Sequence, residues 1–145
     1  MAITQALANS FKKQLLDGDH SFASGSDVYK IALYTSSATL NSATTSYTTG
    51  NEVGNSGQYS AGGGKLTGNN TSIASGVAIV DFADRSFTGV TLTARGALIY
   101  NTSSTATNAA VCALDFGADK TATAGVFTIQ FPAATSTAAI LRISG

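Results

Sequence analysis

Apolar positions follow two different rhythms along the chain. Near the start, Ile3, Leu7, Phe11 and Leu15 recur every four residues, with Leu16 beside them. That is the spacing of one helical face. It predicts a helix over about residues 3–17, capped by Thr4 and stopped by Gly18. Lys12 and Lys13 sit late, where they suit the negative end of the helix dipole. A helix of roughly 13 residues is marginal alone in water. Its stripe therefore has to dock, either on this protein's own sheet or on another subunit.

From Val28 onward the pattern becomes β-like. Val28–Tyr34 reads as a first strand, after a polar connector from Asp17 to Asp27. The next stretch, about residues 35–72, is polar and turn-rich, with Gly54, Gly57, Gly62, Gly63 and Gly64 inside it. So long an interval implies a functional or partner-contacting loop, or short strands hidden in it. Tyr47 and Tyr59 are its candidate anchors. Beyond it lie candidate strands Ser75–Phe82, Val90–Tyr100, Ala109–Phe116, Gly125–Phe131 and Ala138–Ile143. Two of them share a form: an apolar run, then Asp81-Phe82 or Asp115-Phe116, then a polar turn. This suggests two strands ending at the same rim. Pro132 marks a strand end or an edge. Short connections favour antiparallel neighbours. The expected fold class is mainly β, an antiparallel β-sandwich (jelly-roll-like) with one N-terminal α-helix, in a single domain over residues 1–145.

Charge narrows the function. Lys+Arg and Asp+Glu both number 8, and only 11% of residues are charged. A nucleic-acid binder needs a basic surplus on one face, and a membrane-surface protein a polybasic segment. Neither is expected. A neutral chain has little repulsion between copies, which suits an assembly. Ala, Gly, Ser and Thr fill more than half of the positions, so any core must be thin. The single Cys112 forms no internal disulfide and sits in an apolar run, as buried thiols do. No apolar stretch reaches the length of a membrane span. The first residues lack a basic start and a long apolar run, so synthesis and folding in a cytoplasm are expected.

No motif carries convincing chemistry. Gly62-Gly63-Gly64-Lys65 invites a phosphate-loop reading, but Tyr59 stands where that loop needs its first glycine and Leu66 where it needs Ser or Thr. A flexible loop is expected instead. Asp81, Asp84, Asp115 and Asp119 would make a calcium site only if they converged, and their spacing is not that of an EF-hand. Turn hydrogen bonds and ion pairs with Arg85 and Lys120 explain them as well. His20, with Asp19 and some serine, mimics a hydrolytic triad on paper. It lacks the Gly-x-Ser-x-Gly elbow, and a solvated turn histidine is expected. Arg95 lies within a strand as a core ion pair, a subunit contact or an exposed residue. No catalytic residue, cofactor or metal is expected.

Several segments resemble a group of small virion proteins of tailed phages. They are Ala2–Lys12, Tyr29–Thr35, Val80–Asp84, Thr93–Tyr100 and Leu114–Gly117. The resemblance spans nearly the whole chain. It implies a virion structural protein without enzymatic activity, made in the host cytoplasm. Among such parts a capsid cement or decoration protein fits best. That implies a place on the capsid surface, the major capsid protein as partner, and homotrimers that clamp neighbouring shell subunits. The candidate contact residues are Ile3, Leu7, Phe11 and Leu15 of the N-terminal stripe, and Tyr47 and Tyr59 of the loop. The alternatives are a tail or head–tail subunit, and a carbohydrate-binding module with Tyr29, Tyr34, Tyr47, Tyr59 and Tyr100 as stacking platforms.

Overall fold

The computed structural model describes residues 2–145. It is mainly β, with two antiparallel sheets and one short helix near the N-terminus among the described residues. In chain order the elements are β1 (Ala6–Leu7), α1 (Asn9–Leu16), β2 (Tyr29–Tyr34), β3 (Gly64–Lys65), β4 (Asn70–Ala74), β5 (Val77–Asp81), β6 (Arg85–Asn101), β7 (Ala109–Ile129) and β8 (Leu141–Ile143). The larger sheet has five strands in the order β1-β7-β6-β2-β3, and the smaller has three in the order β4-β5-β8.

The helix is shorter than its four-residue rhythm predicts. Ile3 lies extended against Leu40, and the Thr4 backbone N–H donates to the Leu40 carbonyl at 2.8 Å, so Thr4 caps nothing. Ala6 and Leu7 pair with Ala113 and Cys112 of β7. The open edge of β7 offers these residues backbone partners that a fraying helical turn would lack. Only from Asn9 does the chain turn helical, with Ala8 before it providing no side-chain cap. The end is as expected. Gly18, at φ +80°, takes the left-handed conformation just past the Asp17 cap. Phe11 is fully buried in the protein's own core, so the helix docks in cis.

Strands β6 and β7 form one long ribbon. The predicted segments Ala109–Phe116 and Gly125–Phe131 are a single strand, not two. The polar Gly117–Lys120 stretch between them is not a connecting turn. Ala94 pairs with Lys120 and Gly96 with Asp115, so Phe116–Asp119 bulge out opposite Arg95 alone. Asp115-Phe116 therefore does not end a strand at a rim, whereas Asp81 does end β5. With further register shifts between Phe87 and Val90 and between Val90 and Leu92, the ribbon turns back on itself. Phe116 and Phe127 are eleven residues apart, which an extended strand would separate by roughly 36 Å. Their ring centroids lie 6.1 Å apart. The concave side buries Phe87, Val90, Leu92, Ala94, Ala122 and Phe127. The convex side carries cross-strand hydroxyl pairs, Ser86–Thr128 and Thr93–Thr121, both at 2.8 Å.

The smaller sheet opens with a hairpin whose first strand, β4, begins in the segment read from sequence as loop and whose turn falls at the start of the predicted Ser75–Phe82 strand. Ser75 and Gly76, at φ 51° and 76°, form its two-residue turn, the twist that right-handed strands accept. β5 occupies most of the predicted Ser75–Phe82 strand, and the predicted Ala138–Ile143 strand contracts to β8. Aromatic rings join the sheets. Phe22 stacks on Tyr29 of β2 with centroids 4.5 Å apart. Phe82, just past β5, meets Phe22, Tyr29 and Phe131 at 6.2, 5.8 and 5.8 Å. Replacing Phe82→Ala is expected to cost about 3–5 kcal/mol in urea unfolding. The exposed Thr93→Ala should cost less than about 1 kcal/mol. Equal losses would show that the rings do not hold the sheets together.

Candidate functional site

The long segment between β2 and β3 is pinned down, not loose. Its centre is Glu52, whose carboxylate accepts from Tyr47 Oη (2.5 Å), Tyr59 Oη (2.7 Å) and the Gly62 N–H (2.8 Å). Tyr59 Oη in turn accepts from the Leu33 N–H of β2 at 2.8 Å. Tyr100 Oη donates to the Gly62 carbonyl at 2.5 Å, and Tyr34 Oη to the Thr48 carbonyl at 2.6 Å. Single bridges, Tyr34 to Glu52 and Ser46 to Ala109, stitch the segment to the sheet. The glycine run is equally fixed. Gly63 sits at φ +80°, and a Cβ there would overlap the Ile31 carbonyl. Burial raises the hydroxyl pKa of every one of the five tyrosines, that of Tyr100 to about 12.

This places the sequence candidates. Ile3, Phe11 and Tyr59 are buried core residues and present no surface to a partner. Leu7, Leu15 and Tyr47 are half-buried. Of the five tyrosines only Tyr47 keeps part of its ring accessible, and it stacks on Tyr100 with centroids 4.8 Å apart. The stacking platforms expected of a carbohydrate-binding module are therefore largely enclosed.

His20 is not a solvated turn residue. It is 6% exposed, with its ring 4.8 Å from that of Phe11. Nε2–H donates to Gln14 Oε1 and Nδ1 accepts from Asn101 Nδ2, both at 2.9 Å. Asn101, itself fully buried, also donates to Asp27 Oδ2 at 2.8 Å, while its Oδ1 accepts the Ser103 N–H. These bonds suit the neutral ring, and burial lowers the His20 pKa. Asp19 turns away to the Ser104 hydroxyl (2.6 Å) and to Thr105, so no triad forms. Those hydrogen bonds hold the Asp19 carboxyl below its usual range.

The four aspartates do not gather. Asp115 accepts from the Gly117 N–H at 2.9 Å and pairs with Arg95 at 3.2 Å, and Asp84 accepts the Phe131 N–H. Arg95 is thus half of a partly exposed ion pair beside the bulge. Among the described residues no group of three His, Cys, Asp or Glu is placed to hold a metal. Cys112 is buried, and desolvation pushes its thiol up to about 12.

One surface was not visible in the sequence pattern. Between α1 and the smaller sheet runs an open groove of about 730 Å³. Phe11, Leu15 and Leu16 line one side, and Ala78, Val80, Leu141 and Ile143 the other. Leu16 is 90% exposed and Ile143 61%. Ile73, 79% exposed, faces Ala78, which faces Ile143, so the apolar row continues out across the sheet. No family model, curated protein or solved structure matches this chain.

Two outcomes follow for the polar clusters. Glu52→Gln keeps the shape but turns an amide N–H₂ toward donors, and should cost about 1–3 kcal/mol in chemical denaturation. A loss below about 0.5 kcal/mol would mean that Glu52 does not organise the segment. For His20 the folded pKa lies below the unfolded value near 6.5. The unfolded chain therefore takes up its proton first, and stability falls with falling pH from about 6.5 to the folded pKa, then levels off. Stability measured across that window should show this step in the native chain and lose it in His20→Gln.

Proposed function

We propose that this protein is a structural subunit of a phage virion, a decoration protein that binds the outer capsid surface across neighbouring major capsid subunits, with trimers as the working state. The resemblance of five segments to small virion proteins supports the reading. The observation that carries it on the structural side is the pinned segment between β2 and β3. Held through Glu52, it offers a preformed surface whose ordering cost is met during folding, so little more is lost on binding. Its core-facing side is spent on Tyr59 and Val53. The contacts belong to its exposed side, at positions such as Thr49, Asn51, Asn55 and Ser60. The mechanism is mass action. A subunit that binds the assembled shell and not its disrupted form stabilises the shell.

Purified particles lacking the protein should lose DNA at lower temperature and under milder osmotic shock than complete particles. The protein should be present at near-stoichiometric ratio to the major capsid protein by quantitative mass spectrometry. A count of about six to a few dozen copies per particle would instead move it to the tail or portal vertex. Thr49→Arg with Ser60→Arg should leave thermal stability unchanged and reduce particle occupancy at least about tenfold, a loss of about 1.4 kcal/mol.

A further inference from the structure

The C-terminal half of β7 has a neighbour on one side only. β6 runs along that side as far as the Arg85–Ile129 pair. On the other side, among the described residues, β7 is bridged only near its start, at Ala109, Cys112 and Ala113. Beyond Phe116 that edge is open, with about 390 Å³ of open space beside it, lined by Phe116, Lys120 and residues 126–130. Two sets of hydrogen bonds show which backbone groups face out. The Phe131 N–H turns to Asp84, on the β6 side. Thr88 of β6 spends both its N–H and its carbonyl on Gln58, away from β7, so its neighbour Phe87 turns its own toward Phe127. Backbone groups alternate along a strand, so those of Val126, Thr128 and Gln130 point to the open edge. This outward row ends on both sides of Thr128. Upstream, the Ala124 N–H, at φ 45°, goes to Thr91 of β6. Downstream, the next outward position is Pro132, which has no N–H. Exposed edges usually carry charge or proline against pairing. Residues 121–131 carry neither, and Val126 is 57% exposed.

We infer that this edge pairs with the same edge of a second copy of the chain, antiparallel across a two-fold axis at Thr128. The row is its own complement. Val126 meets Gln130 of the second copy, Thr128 meets Thr128, and each such pair exchanges two N–H···O bonds. The unpaired groups are backbone, so the occupant is an extended strand. Its identity follows from the fit. The row matches itself end to end between Ala124 and Pro132, brings no like charges together, and covers Val126 with the stem of Gln130. The pinned segment between β2 and β3 bridges β7 only at Ala109. The contact therefore stands or falls independently of shell binding. In trimers, a two-fold contact links one trimer to the next.

Sedimentation of the full chain should show an even multiple of the monomer. Thr128→Lys sets two ammonium groups face to face across the axis. It should keep the melting temperature and weaken this association at least about tenfold, and added salt should restore part of it. Thr128→Pro removes only an outward N–H and should weaken association without rescue by salt. Ile73→Lys, on the exposed β4 of the smaller sheet, should leave the mass unchanged. The Val126, Thr128 and Gln130 amides should exchange at least about tenfold more slowly in the associated state than after dilution. A monomer at about 1 mM would overturn the proposal and leave the edge to a strand of another protein. So would an odd-numbered assembly, association untouched by Thr128→Lys, or association abolished by Ile73→Lys.

Discussion

The rest of the structure depends on the bend in the β6–β7 ribbon. A chain in which small side chains fill more than half of the positions has few large ones with which to enclose a core. A flat sheet would leave those few half-covered. Curling one long hairpin so that Phe116 approaches Phe127 makes the ribbon supply both sides of its own interior. Along the curl the register shifts between Phe87 and Val90, between Val90 and Leu92 and between Ala94 and Gly96, and at the last of these the Arg95–Asp115 pair and the Gly117 N–H bond to Asp115 hold the bulge. Strands β1 and β2 then complete the layer at either flank, and the smaller sheet closes on it through the rings around Phe82.

Much of this architecture can be read from sequence, and the failures have physical causes. Apolar runs located β2, β5, β6 and both halves of β7, and Gly18 located the helix end. The four-residue spacing of Ile3, Leu7, Phe11 and Leu15 misleads because residues four apart share a face in a strand as well as in a helix. It records burial correctly and spans two kinds of element. The bulge at Gly117 carries the composition of a turn, and only the pairing partner of each residue distinguishes the two. β4 is hidden because its residues are mostly exposed and polar, so no alternation marks it.

The polar clusters were harder still. Glu52 finds its partners Tyr47, Tyr59 and Gly62 within ten residues along the chain, yet no periodicity marks them as converging, and Tyr100, which stacks on Tyr47, comes from a distant strand. His20 lies in a polar run, yet its second nitrogen is met by Asn101, 81 residues away. Burial of such groups is tolerated because each bond is made. Together they do for the irregular parts of the chain what ladders do for strands. They satisfy donors and acceptors where no sheet partner is at hand. The exposed groove has the opposite character, an apolar surface with nothing over it.

Cys112 carries a practical consequence of this packing. The side chain is 4% exposed, and at a thiol pKa of about 12 its reactive thiolate is a negligible fraction at neutral pH. The folded chain is therefore expected to react slowly with maleimides and similar labels. A cysteine introduced at any solvent-facing position would be the sole reactive handle, without first removing the native one. Spin labels, fluorophores and crosslinkers can each be sited singly on an otherwise unaltered molecule, and its surroundings inside a larger assembly read one position at a time.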